Sequence, residues 1–192
     1  MSIKIAIVPG SFDPITYGHL NIIKRAAKIY DKIIVAVMIN DQKKYMFKLS
    51  ARTEMVKAAV AGIENVEVIS STGMLWQAAK DHNACAIIKG IRNTTDFEYE
   101  TKMAKYNIEH FPEADTVFLP AGDNLVDVSS TEVRERINQG KDLTEIVPKP
   151  VIELIDKYFA ITQAEIASAS NYFDSISIKM YNETFNPILN KA

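Results

Sequence analysis

Short apolar runs alternate along this chain with longer segments of helical period. IKIAIV (3–8), KIIVAVMI (32–39), VEVI (66–69), CAIIK (85–89) and TVFLP (116–120) are near-continuous apolar stretches, not polar–apolar alternations. Runs of that kind suit strands covered on both faces. In the segment GHLNIIKRAAKIYD, Leu20, Ile23, Ala27 and Tyr30 fall on one helical face. Ser50 is placed to cap a helix through ARTEMVKAAVAG, and Gly62 to stop it. Further helices are expected near 74–82, 96–110, 131–138 and 150–159, with Pro150 suited to a first turn. The order βαβαβαβαβα predicts an α/β fold: a Rossmann-like, doubly wound, open parallel sheet of five strands with helices on both faces. In such sheets ligands bind beyond the carboxyl ends of the strands. The chemistry is therefore sought in the residues that follow each strand.

The last thirty residues differ in character, so we divide the chain into a domain over 1–160 and an extension over 161–192. Thr162 and Glu165 have the spacing of a capping box, and Ile166, Ala169, Phe173, Ile176 and Met180 share a helical face. An amphipathic helix over 163–181 is expected, packing on its own domain or on a neighbouring subunit.

Composition narrows the class without naming a chemistry. The 192 residues are 47% apolar and 24% charged, which suits a globular protein with a sizeable core. A net charge of -2 speaks against a dedicated nucleic-acid binder, though a local basic pocket remains compatible with it. The single cysteine, Cys85, excludes an internal disulfide and fits a reducing compartment; at the start of a strand it reads as a small core residue. No apolar run approaches the roughly 20 residues of a membrane span. The expectation is a soluble, cytoplasmic protein without nucleic-acid or membrane partners.

Four strand ends carry groups that suit phosphate. After the first come Pro9-Gly10-Ser11-Phe12-Asp13-Pro14 and Thr16-Tyr17-Gly18-His19. Gly10 permits a tight turn, Ser11 offers a hydroxyl, and Gly18 and His19 stand where the next helix begins. The first amides of a helix have no intrahelical partner and its dipole favours an anion. Taken singly, this is a capped helix with an incidental histidine. It is neither a Walker loop nor a GxGxxG fingerprint. After the second strand come Lys43 and Lys44, which in isolation read as a solvated loop. The fourth ends in Lys89-Gly90-Ile91-Arg92. After the fifth come Ser129, Ser130 and Thr131, three hydroxyls suited to a triphosphate, although Ser129 with Glu132 also reads as a plain capping box. The coincidence of four such ends favours a polyphosphate site. His82 and His110 read as ordinary surface or capping groups, and Trp76 as core in preference to pocket wall.

Together PGSFDPITYGH, the segment KKYMF, KGIR, DFEYE (96–100) and VSSTEVR resemble bacterial phosphopantetheine adenylyltransferases, over about residues 3–160. The TxGH element alone marks the wider nucleotidyltransferase superfamily. The resemblance implies transfer of AMP from ATP to 4'-phosphopantetheine, giving dephospho-coenzyme A and pyrophosphate. By that resemblance His19, Lys43 and Arg92 would be catalytic, with His19 stabilising the transition state. Ser11, Lys43, Leu75 and Lys89 would bind the pantetheine substrate. Ser11, Phe12, His19, Gly90, Ile91, Arg92 and Glu100 would contact ATP, as would Leu125, Val126, Asp127, Val128, Ser129, Ser130 and Thr131. Mg²⁺ and a hexameric assembly are implied in the same way, with no dedicated protein cage for the metal.

The sequence departs from the family pattern at several of these places. Lys89 stands where many relatives have arginine, and Ser11 where threonine is frequent. Leu125 stands where some relatives have an aromatic residue. Tyr45 replaces a frequent proline and is expected to loosen the Lys43 loop. Two other readings compete: another small-molecule nucleotidyltransferase, such as one acting on nicotinate mononucleotide or glycerol phosphate, and a nucleotide-binding regulator without turnover. Thr16, KGIR and DFEYE oppose the first; intact His19, Lys43 and Arg92 oppose the second.

Overall fold

A computed structural model of the chain describes residues 3–161. Strands and helices alternate as β1 (Ile5–Gly10), α1 (Tyr17–Ala27), β2 (Lys32–Met38), α2 (Leu49–Val60), β3 (Val66–Ser71) and α3 (Leu75–Asp81). They continue as β4 (Ala86–Ile91), α4 (Thr94–His110), β5 (Asp115–Pro120), a 3-10 turn (Asp123–Leu125) and α5 (Ser130–Asn138). The strands form one parallel sheet in the order β3-β2-β1-β4-β5. The expected Rossmann-like architecture is therefore present.

The apolar runs are covered on both sides because alternate side chains of each strand serve opposite faces. Ile7 is in register with Ile34 on one side and Ile87 on the other. These three meet Ala78 and Ala79 of α3, and Phe111 just beyond α4, in one buried cluster. The adjacent register pairs, Ala6 with Ile33 and Val8 with Val35, are buried as well. Helices α1 and α2 both lie against β2 and bring the fully buried Ile23, Met55 and Val56.

Three details differ from the sequence pattern. Strand β1 runs on through Pro9 and Gly10, which pair with Ala36 and Val37, so this dipeptide belongs to the strand and not to the turn. Cys85 is exposed, because it precedes the covered strand, which begins at Ala86. Ser50 does not cap α2; the helix starts at Leu49 after Lys48, which makes no side-chain cap bond. α3 likewise starts after Met74 without a side-chain cap, whereas Asn93 accepts from the Asp96 amide ahead of α4 and Ser129 from the Glu132 amide ahead of α5.

The sheet opens at its switch point. Pairing of β1 with β2 continues to Gly10–Val37, but pairing of β1 with β4 stops at Ile7–Ile87. Pro9 has no N–H to offer a ladder. The two central strands thus part before either ends, at the carboxyl edge where such folds receive ligands.

The chain divides into two compact units, Met1–Ile152 and Glu153–Ala192. Residues 149–152 of the first are helical, and so are residues 153–161 of the second. The amphipathic helix expected over 163–181 lies outside the described residues.

Candidate active site

Some of the groups that the sequence singled out lie at the amino end of α1, and Arg92 is near enough to act on His19. Thr16 is the cap, and its hydroxyl oxygen accepts from the His19 amide at 3.4 Å. The His19 ring answers: the Thr16 amide donates to Nδ1 at 3.1 Å, and the Thr16 hydroxyl lies 3.0 Å from the same nitrogen. A backbone N–H can only donate, so Nδ1 must be the acceptor and Nε2 carries the proton of the neutral ring. The capping box thereby sets the tautomer. Burial, and secondarily the charge of Arg92, lower the pKa of His19 to about 4. At neutral pH it is an uncharged Nε2–H donor.

This shift gives a testable pH signature. Between pH 6.5 and about 4 the unfolded chain takes up a proton that folded His19 refuses. Acidification through that window should therefore cost stability, fully present above pH 6.5 and lost as the pH falls towards 4. Thermal melts across the window should show a shallower acid limb for His19→Ala than for the parent. By imidazole NMR, His19 should remain neutral at about pH 5.5; a midpoint near 6.5 would contradict the assignment.

Phe12 holds the other side of the ring. It is nearly fully buried, adopts a φ of 47°, and meets His19 edge to face with centroids 5.2 Å apart. A positive φ is strained for such a residue and folds the chain back on β1. The aromatic ring then lies over Gly10, where an added Cβ would stand 2.7 Å from Cζ. Gly10 is thus required for room beneath Phe12 and not for a tight turn. The Phe12 side chain is a support for His19, which leaves only its backbone to face a nucleotide.

The loop after β2 is fastened to the loop after β1. Asp13 is buried, and its two carboxylate oxygens accept from the Met46 and Phe47 amides, each at 2.9 Å. Arg52 of α2, 1% exposed, donates to the carbonyls of Ser11, Met38 (3.0 Å) and Phe47 (3.2 Å). Tyr45 stacks on that guanidinium, 4.1 Å from ring centroid to Cζ, and its hydroxyl accepts from the Asn40 amide. Tyr45, expected to loosen the Lys43 loop, bonds through its hydroxyl to Asn40 across that loop. Lys43 itself stands exposed on this tethered segment.

At the end of β4, Lys89 and Glu100 form an ion pair at 3.0 Å, each side chain 19% exposed. The resemblance assigns one to the acceptor and the other to ATP; the structure brings them together. Arg92 pairs with Asp96 at 2.8 Å, which holds the Asp96 carboxyl below its usual range and raises Arg92. Gly90 permits close approach of α1, since a Cβ there would lie 3.0 Å from Ile22. The Ile91 carbonyl accepts from the Ala121 amide at 2.8 Å.

The 125–131 loop lies against α1. A Cβ on Gly18 would stand 3.1 Å from the Val128 carbonyl and 3.7 Å from that of Leu125. All three hydroxyls expected to face a triphosphate have partners in the protein. Ser129 caps α5, Ser130 donates to the Pro14 carbonyl at 2.8 Å, and Thr131 accepts from Arg134 at 3.1 Å. Arg134 also donates to the Asp13 carbonyl at 2.8 Å. What this loop offers an anion is the first turn of α5, whose amides lack intrahelical partners. Two helix amino ends, of α1 and α5, are thus joined side by side. Leu75 and Trp76 both pack against the core cluster. Among the described residues no group of three His, Cys, Asp or Glu side chains is placed to hold a metal ion.

A cytidylyltransferase-like family model matches residues 7–136. The phosphopantetheine adenylyltransferase of Caldanaerobacter subterraneus is 46% identical over 156 residues, which cover 81% of this chain and 98% of that protein. The Haemophilus influenzae protein of the same name is 45% identical, with 78% and 96% covered, and that of Clostridium beijerinckii 44%, with 78% and 94%. This chain belongs to the phosphopantetheine adenylyltransferase family. It is a nucleotidyltransferase.

In this phosphopantetheine adenylyltransferase family member the TxGH pattern forms the cap and first turn of α1, with Thr16 as the cap. The buried supports were missed. Asp13 drew no attention because a carboxylate beside proline reads as turn chemistry. Arg52 had a legible signal: it lies three and four residues before Met55 and Val56, so a cation interrupts the buried stripe of α2.

Proposed function

We propose that this chain transfers AMP from ATP to the phosphate of 4'-phosphopantetheine, yielding dephospho-coenzyme A and pyrophosphate. A phosphate oxygen of the acceptor forms a bond to the α-phosphorus of ATP in line with the bond to the β-phosphate bridge. That bridge bond breaks and pyrophosphate departs, without a covalent enzyme intermediate. The acceptor phosphate is already a competent nucleophile, so no general base is required of the protein. The work of the chain is to bring two anions together and to stabilise the charge that develops.

The observation that carries this reading is the fixed Nε2–H donor of His19 beside two joined helix amino ends. His19 faces the α-phosphate, and the first turns of α1 and α5 receive phosphate oxygens. Ser11 and Lys43 hold the acceptor phosphate, and Leu75 lines the pantetheine arm. Lys89 reaches the acceptor once that phosphate competes for it with Glu100, and Arg92 neutralises the departing pyrophosphate. ATP enters as its magnesium complex, the metal held by phosphate oxygens and water.

The test is pyrophosphate release from the purified chain with ATP, Mg²⁺ and each acceptor in turn. Turnover with 4'-phosphopantetheine is expected. Turnover only with nicotinate mononucleotide or glycerol phosphate would replace this substrate, and ATP binding without turnover on any acceptor would make the chain a regulator. A hexameric assembly and a cytoplasmic location complete the proposal. Exposed Phe97 and Tyr99 on α4 supply apolar surface for association, and light scattering measures the assembly mass. Among the described residues no helix is long and apolar enough to cross a membrane.

A further inference from the structure

Arg52 is an unusual residue to find at the base of a substrate site. A buried cation is costly unless its donors are satisfied, and hydrophobic replacements of buried ionic groups are often as stable. The Asp13 carboxylate favours its charge from a distance, without a salt bridge between the two. Its donors instead go to carbonyls from three separate segments: Ser11 after β1, Met38 at the end of β2, and Phe47 ahead of α2. The face of the guanidinium is covered by Tyr45.

A second tie runs in the opposite direction. Asp13, on the β1 loop, accepts from the Met46 and Phe47 amides. Arg52 therefore pulls the β1 loop towards α2 while Asp13 pulls the β2 loop towards β1. The two residues whose spacing these ties fix are Ser11 and Lys43, one on each loop.

We propose that Arg52 is a positioning residue for the acceptor-phosphate subsite. With Asp13 and Tyr45 it clamps the loop carrying Lys43 onto the loop carrying Ser11 before substrate arrives. This rests on the reading of Ser11 and Lys43 as the acceptor-phosphate groups. The cost of ordering the loop is then met during folding and not at each binding event, which is the general advantage of preorganisation. The fork of an arginine is needed because a lysine, a point donor on a flexible stem, cannot hold three carbonyls in fixed geometry.

Two variants of the full chain test it, Arg52→Lys and Tyr45→Phe, the second keeping the stacked ring and losing only the hydroxyl bonds to Asn40. Steady-state pyrophosphate release should show the KM for 4'-phosphopantetheine raised about tenfold or more in Arg52→Lys, with the KM for ATP within about twofold. Tyr45→Phe should move the same way by about threefold. In the ligand-free proteins, hydrogen exchange at the Met46 and Phe47 amides should quicken in both variants while β1 and β2 stay protected. Equal rises in both KM values, or an unchanged acceptor KM with unchanged exchange, would overturn the clamp. Should Arg52→Lys fail to fold, Tyr45→Phe decides by the same readouts. A parent protein inactive on 4'-phosphopantetheine would sink the substrate assignment instead, and exchange would then decide the clamp without it.

Discussion

Replacing His19 with alanine is expected to lower turnover about a hundredfold or more, equivalent to roughly 3 kcal/mol of transition-state stabilisation. The argument rests on geometry and charge state together. The ring is held by the Thr16 amide at Nδ1, pressed by Phe12 from the side, and kept neutral by burial. Its single remaining proton is committed to Nε2. Such a donor costs no reorganisation as charge grows on the α-phosphate, which is why its loss should appear in kcat more than in either KM. The helix should survive, because the Thr16 hydroxyl can still accept from the residue 19 amide. Turnover within about threefold of the parent, in a variant with an unchanged melt, would remove His19 from the mechanism.

The second large effect is expected at Gly10. An alanine Cβ there would stand 2.7 Å from Phe12 Cζ and 2.9 Å from both Cε atoms. The aromatic ring has nowhere to go: it is 2% exposed and its neighbour is His19. Overpacking of this kind typically costs about 1–3 kcal/mol. For a chain of this size that lowers Tm by roughly 2–4 °C per kcal/mol. Turnover should fall with it, since any displacement of Phe12 tilts the imidazole. Gly73→Ala is the matched control. Nothing lies within 4 Å of its added Cβ, and a change within about 0.5 kcal/mol is expected. A Gly10→Ala melt as close to the parent as the control would refute the packing argument.

The sheet was legible because strands buried on both faces leave unbroken apolar runs, and each of the five runs is a strand. Their ends were less so. Pro9 looked like punctuation, yet a proline is tolerated where β1 has parted from β4. Cys85 looked buried because it adjoins an apolar run, and one residue of offset exposes it. The candidate site was drawn from residues whose type alone suits phosphate, as with His19, Lys43 and Arg92. Ser130 and Thr131 are less informative: their hydroxyls have partners within the protein, and sequence does not distinguish such a partner from a ligand. Least visible were contacts closed across the chain, such as Asp13 to Phe47 or Arg52 to Ser11, 34 and 41 residues apart. No local pattern encodes them.

The capped imidazole also governs how His19 meets reagents. An acylating electrophile attacks an imidazole through the nitrogen lone pair in the ring plane. In this ring Nε2 carries the proton, and the lone pair of Nδ1 is already engaged by the Thr16 amide. His19 is therefore shielded from acylation while α1 keeps its first turn, and becomes a nucleophile only when that turn frays. The labelling rate of one histidine thus becomes a clock for the opening of a helix end.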